Sequence, residues 1–140
     1  MRKRVILVEN DGATRQKYAG MLADKGFDIE TYSSKEEAIS AFRSIDLPDL
    51  ALLDATLHGD NNAAYDLCRE LRSVSSVVPI ILFTSQDNET EQSRGLHLGA
   101  DDYIKKGASV DYVSIRIQTL LGRIDAIRLA CEAKEQSTIS

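Results

Sequence analysis

Proline, cysteine, long apolar runs and excess positive charge are all scarce in this 140-residue chain. Only two prolines, with 43% apolar and 28% charged residues, describe an ordinary globular composition and exclude a Pro-rich disordered one. The two cysteines, Cys68 and Cys131, fall in helical patterns without metal-ligand spacing. That argues against a disulfide framework and for a reducing cytoplasm. After Met1–Arg4 the apolar run Val5–Val8 ends at Glu9, too short for a signal core or a membrane span. The net charge of −5 argues against a nucleic-acid surface. There is no low-complexity segment and no internal repeat. The length admits one domain with its own core, plus at most a tail.

What is present is a rhythm. Short apolar runs alternate with amphipathic stretches five times, the pattern of βαβ units and a mostly parallel sheet covered on both faces. The spacing predicts strands near 4–9, 27–32, 50–54, 79–84 and 102–105, and helices near 13–25, 34–45, 62–73 and 88–98. Each helix is long enough for the crossover a parallel pair requires. Ser34 to Glu37 reads as a capping box, and Gly26 and Gly99 stand where helices should stop. Pro79 can open a strand without losing an interior ladder bond.

From Ser109 to about Glu135 no proline intervenes, and Val113, Ile117, Leu120, Ile124, Ile127 and Cys131 recur at alternating steps of four and three. Those steps make a heptad seam. Two readings stand: a core helix with a frayed end, or a helix overhanging the domain to pair with its twin or lead to an output domain. Gly122 counts against a long helix, since an interior glycine costs about 1 kcal/mol. The expected division is a domain over 1–122 and a helical extension or linker over 123–140.

Chemistry gathers where the apolar runs end. Asp54 closes Leu50–Asp54, Glu9, Asn10 and Asp11 follow Val5–Val8, Thr84 follows Ile80–Phe83, and Lys106 follows Tyr103–Ile104. In an open parallel sheet those ends share one edge, where ligands of such folds bind. A carboxylate accepts a phosphoryl group when neighbouring charges neutralise the equatorial oxygens. Magnesium suits that task, because it takes oxygen ligands from one or two carboxylates, phosphate and water. Each residue also has a bland reading: Asp54 as a turn residue, Asp11 as a helix cap, Thr84 as a β-branched strand residue and Lys106 as a surface lysine. Their joint placement favours the chemical one.

With these residues the chain resembles the receiver domains of two-component response regulators, related to the chemotaxis receiver, from about Arg4 to Gly122. Ile6–Asp11 looks like the family's acidic-pair strand, Pro48–Asp54 like its phosphoacceptor strand, and Gly99–Lys106 like its final strand and lysine. The resemblance implies an α/β fold: a doubly wound five-stranded parallel sheet of order 2-1-3-4-5, flavodoxin-like, with five helices. It implies Asp54 as the site of phosphorylation, assisted by Thr84 and Lys106. It implies Mg2+ held by Glu9, Asn10, Asp54 and the carbonyl of Thr56, and a switch made by Thr84 and Tyr103. The donor would be a histidine kinase or phosphotransfer protein. The output surface would be the helix near 88–98, the last strand and the C-terminal helix, where Asp102 and Arg116 are placed to pair across a homodimer. The C-terminal helix would be the alternative dimer surface.

The departures carry their own expectations. Asn10 stands where the family usually has a second metal-binding acid, so weakened Mg2+ binding and slower or less persistent phosphorylation follow unless Asp11 swings in. Gly107 replaces a usual proline whose preceding peptide bond is cis. A Lys–Gly bond should be trans, since non-proline cis costs about 2.5–4 kcal/mol, and the lysine loop should be looser. His58 replaces another loop proline and is expected to face solvent. The second reading is a phosphorylation-independent pseudo-receiver serving as a dimerisation or partner-binding module. A haloacid-dehalogenase-type phosphatase would need an acid at Thr56, and a flavodoxin-like carrier would need a hydroxyl- and glycine-rich loop where Glu9–Asp11 stand. No enzyme activity is expected beyond promoting the domain's own phosphorylation and dephosphorylation.

Overall fold

The computed structural model describes residues 2–44, 46–55, 62–85 and 99–139. Five strands form one parallel sheet: β1 (Arg4–Val8), β2 (Asp28–Tyr32), β3 (Leu50–Asp54), β4 (Ile80–Thr84) and β5 (Asp102–Lys105), in the order β2-β1-β3-β4-β5. Four helices lie among the described residues: α1 (Gly12–Asp24), α2 (Lys35–Phe42), α3 (Ala63–Val74) and α4 (Val110–Ile139). The helix expected near 88–98 falls outside them.

Side chains of a strand alternate between faces, and here each face has its own cover. Ile6, Val8, Ala51, Leu53, Ile80 and Leu82 pack with Ala38 and Phe42 of α2 and with Leu67, Cys68 and Leu71 of α3. Val5, Leu7, Leu50, Leu52, Ile81, Phe83 and Ile104 pack on the other side with Tyr18 and Leu22 of α1 and Val113, Ile117 and Leu120 of α4. This two-sided burial is why β1, β3 and β4 are continuous apolar runs. β2 and β5 lie at the edges and carry the polar residues.

The helix ends follow local chemistry. Asp11 caps α1 by accepting from the Thr14 amide at 2.9 Å. Ser34 caps α2 by accepting from the Glu37 amide at 3.3 Å, while the Glu37 carboxylate takes the Ser33 amide, one residue earlier than a strict capping box requires. α2 stops at Phe42 rather than near 45, because Phe42 is its last apolar anchor and the Ser44 hydroxyl donates back to the Ala41 carbonyl at 2.7 Å. Gly26 turns the chain out of α1 at φ +99°, a conformation that disfavours any side chain.

The overhanging reading of the C-terminal segment describes α4. It runs unbroken through Gly122 for 30 residues, about 45 Å at 1.5 Å per residue. Val113 to Leu121 pack on the sheet. Beyond them Ile124 and Asp125 are half-buried, Asp125 meets Lys3 at 3.2 Å, and Ile127 and Leu129 stand exposed. Among the described residues no helix is long and apolar enough to cross a membrane.

Candidate functional site

Three strand ends bring the site together, and the backbone fixes each. Glu9 extends the β1–β2 ladder by donating its amide to the Tyr32 carbonyl at 3.0 Å. Asp54 is the last residue of β3, paired in register with Phe83. The Lys106 amide donates to the Thr84 carbonyl at 2.6 Å, continuing the β4–β5 ladder past Lys105. From there the Lys106 ammonium lies 2.9 Å from Asp54 Oδ1 and 3.0 Å from Glu9 Oε1. Both carboxylates have no exposed surface.

Two buried acids against one base leave net negative charge in a low-dielectric setting. Burial and the charge of Asp54 push the Glu9 carboxyl up to about 7, although Lys106 opposes both. Burial pulls Lys106 down, but its bonds to Asp54 and Glu9 outweigh that and hold it above the ordinary lysine value. Glu9 Oε2 is buried with no hydrogen-bond partner among the described residues. An excess of charge and an orphaned carboxylate oxygen beside a half-buried asparagine fit a small oxygen-seeking cation such as Mg2+. Among the described residues no three His, Cys, Asp or Glu side chains converge on a metal-sized site.

Asp11 is occupied as a helix cap rather than turned toward Glu9 and Asp54. Its carboxylate is engaged at the N-terminus of α1, where the Thr14 hydroxyl and amide donate to it and hold it below the usual carboxylate range. Thr84 is buried at the end of β4 on the face of Leu82, and Leu82 pairs in register with Tyr103. The proposed switch residues therefore share one face of neighbouring strands, with Tyr103 half-buried against the α2 and α3 side of the core. Among the described residues no peptide bond is cis, as expected for Lys106–Gly107, and Gly107 takes φ +96°. Thr56 and His58 lie outside the described residues.

Two contacts near the site were not anticipated. Arg15, in the first turn of α1, donates to the Glu9 carbonyl at 2.8 Å and the Asn10 carbonyl at 3.4 Å, pinning the acidic loop from behind. Tyr18, one turn on, donates its hydroxyl to the Ala108 carbonyl at 2.8 Å. Only the i, i+4 relation of Tyr18 and Leu22 marked an inward face in the sequence. Asp102 and Arg116 are also closer than expected: they pair within the chain, Arg116 Nε to Asp102 Oδ2 at 2.6 Å, rather than standing ready for a partner. β5 and α4 lie side by side, which satisfies both charges locally.

Comparison with known proteins agrees with this geometry. The family model for the response regulator receiver domain matches residues 5–118. The DNA-binding response regulator MtrA of Mycolicibacterium paratuberculosis is 35% identical over 125 residues, covering 89% of this chain and 54% of that protein. A two-component response regulator from Clostridium difficile superposes with a TM-score of 0.79 at 27% identity, covering 88% of this chain and 98% of that one. A CheY-like receiver domain protein from Methanospirillum hungatei gives 0.82 at 21% identity, covering 90% and 98%, a likeness of fold. The chain spans about half the length of the curated relatives it matches.

Proposed function

Because this chain belongs to the response regulator receiver family and so to two-component signal transduction, we propose that Asp54 is its phosphoacceptor. The observation that carries this reading is the buried contact of Lys106 with Asp54 and Glu9 at the ends of three strands. In the forward step an Asp54 carboxylate oxygen attacks the phosphorus of a phosphohistidine on a histidine kinase or phosphotransfer protein. The nitrogen–phosphorus bond breaks, the imidazole leaves, and an acyl phosphate forms on Asp54. Lys106, already within ion-pairing distance, keeps its positive charge beside the added phosphoryl oxygens. Glu9, Asn10, Asp54 and the Thr56 carbonyl would hold Mg2+, which when bound neutralises charge on the phosphoryl oxygens. Asn10 brings an oxygen without a charge, so binding is weaker than with two acids and Asp54.

Thr84 then donates its hydroxyl to a phosphoryl oxygen, and Tyr103 turns toward the space it vacates. That biases a two-state surface formed by the segment near 88–98, β5 and α4. A homodimer that paired Asp102 and Arg116 between chains would exchange the intrachain pair for an interchain one. An exposed exchange of that kind contributes about 0–1 kcal/mol, so it selects register rather than affinity. We assign residues 1–122 to the receiver and 123–140 to a helical extension leading to an output partner. The chain itself acts in the cytoplasm as a switch, with no chemistry beyond its own phosphorylation and dephosphorylation. Its relative MtrA is named as DNA-binding, and this chain spans only about half of that protein.

The test is intact mass after incubation with acetyl phosphate, with and without magnesium, for wild type and Asp54→Ala. A magnesium-dependent gain of one phosphoryl group that the variant lacks is expected. A folded wild type that gains nothing, while a control receiver is labelled alongside, overturns the assignment.

A further inference from the structure

Lys106 can act on Asp54 only if its loop is held, and the loop has little of its own to hold it. Gly107 follows at φ +96° in open space, exposed, with no atom within 4 Å of where a side chain would begin. Just after it the Ala108 amide donates to the Lys105 carbonyl at 3.2 Å, and Ser109 then accepts from the Tyr112 and Val113 amides at the start of α4. Before the glycine the Lys106 amide is held by the Thr84 carbonyl at 2.6 Å; after it, the long-range contact comes from α1. Tyr18 is 2% exposed, and its hydroxyl meets the Ala108 carbonyl at 2.8 Å. Its ring stands edge-on to Phe83, with centroids 4.8 Å apart and planes at 83°. Phe83 is the register partner of Asp54, and its carbonyl accepts the Ala55 amide at 2.9 Å. One side chain of α1 thus touches the residue beside the acceptor and the loop two residues beyond the lysine.

We propose that Tyr18 is a positioning residue: its hydroxyl anchors the Lys106 loop in place of a proline, and its ring references that anchor to the strand carrying Asp54. The proposal rests on the receiver reading, in which Lys106 must meet a phosphoryl group on Asp54. A buried phenol needs an acceptor, and Ala108 supplies it. Phenylalanine would keep the ring against Phe83 and release only the loop. Lys106 would retain its charge and lose its aim. Misplacement of about 1 Å can cost up to about a hundredfold in rate, so a partial release predicts about tenfold.

The experiment uses the full chain as wild type, Tyr18→Phe, and Ala38→Gly, a control that loosens α2 on the opposite side of the sheet. Amide hydrogen exchange is followed at residues 105–109, and the rate of Asp54 phosphorylation is measured against acetyl phosphate concentration at saturating magnesium. Tyr18→Phe is expected to speed exchange at Lys106 and Ala108 and to lower the maximal rate about tenfold, with half-saturation little changed. Ala38→Gly should do neither at comparable loss of global stability. Exchange and rate in Tyr18→Phe that match the control overturn the proposal, as does faster exchange with an unaltered maximal rate. A wild type that takes no phosphoryl group defeats the receiver reading instead, and exchange at Ala108 then decides the anchor by itself.

Discussion

Replacing Glu9 with glutamine should make the protein more stable at pH 8 and leave it nearly unchanged at pH 5. In the folded state the Glu9 carboxyl is raised from 4.5 to about 7 by burial and by the charge of Asp54. At about 1.4 kcal/mol for each tenfold change, that amounts to about 3 kcal/mol opposing the fold once Glu9 is ionised. Between those two values the folded state binds more protons than the unfolded one, so stability falls as pH rises through the window. Lys106 is held above its ordinary value, burial being outweighed by Asp54 and Glu9, so it stays charged throughout and adds no slope. Glutamine keeps the volume and an oxygen for Lys106 to bond. Urea unfolding in chelator at several values from pH 5 to 8 reads the effect. The wild type should lose about 2–3 kcal/mol relative to Glu9→Gln across the range, a difference that cancels the two histidines common to both. Parallel stability curves, or a wild type that gains on the variant toward pH 8, would refute the reasoning.

Other outcomes follow from the same structure. Asn10→Asp adds a full charge beside Glu9 and should tighten Mg2+ binding about tenfold by calorimetric titration, while destabilising the metal-free protein; unchanged affinity would remove Asn10 from the donor set. Arg72 donates to the Gly99 and Val78 carbonyls at 2.7 and 2.6 Å and pairs with Asp101 at 3.0 Å, so Arg72→Ala should cost about 2–4 kcal/mol in urea unfolding. A loss below about 1 kcal/mol would show that those carbonyls find water instead. Gly122 lies mid-helix in open space, and Gly26 sits at positive φ in equally open space. Gly122→Ala should therefore stabilise the fold and Gly26→Ala destabilise it, each by about 1 kcal/mol, moving the thermal midpoint in opposite directions; shifts of the same sign would contradict the backbone argument.

The sheet was legible in the sequence because burial on both faces writes itself as unbroken apolar runs. β1, β3 and β4 announce themselves this way, and their ends located Glu9, Asp54 and Thr84. The two edge strands were placed with less contrast, since β2 exposes Asp28 and Thr31 and β5 exposes Lys105. What could not be read was the use of polar atoms across long separations. Asp102 and Arg116 are visible as opposite charges in sequence, but only the packing of β5 beside α4 decides that they meet within one chain. Arg15 reads as one more exposed helix residue until the helix is docked over the acidic loop. Tyr18 reads as core, and the 90 residues to Ala108 carry no periodicity that would link them. Asp11 was open to two uses, metal ligand or helix cap, and here it accepts from the amide of Thr14 as a cap.

The long C-terminal helix has a mechanical consequence. Its first two fifths, through Leu121, are bedded on the sheet, and the helix then runs on past the core as a lever. From Gly122 to Ile139 the arm is about 27 Å long at 1.5 Å per residue. A tilt of about 10° at the bedded end would sweep the tip through about 5 Å, close to one helical pitch. The Lys3–Asp125 pair at 3.2 Å ties the base of that arm to the start of β1.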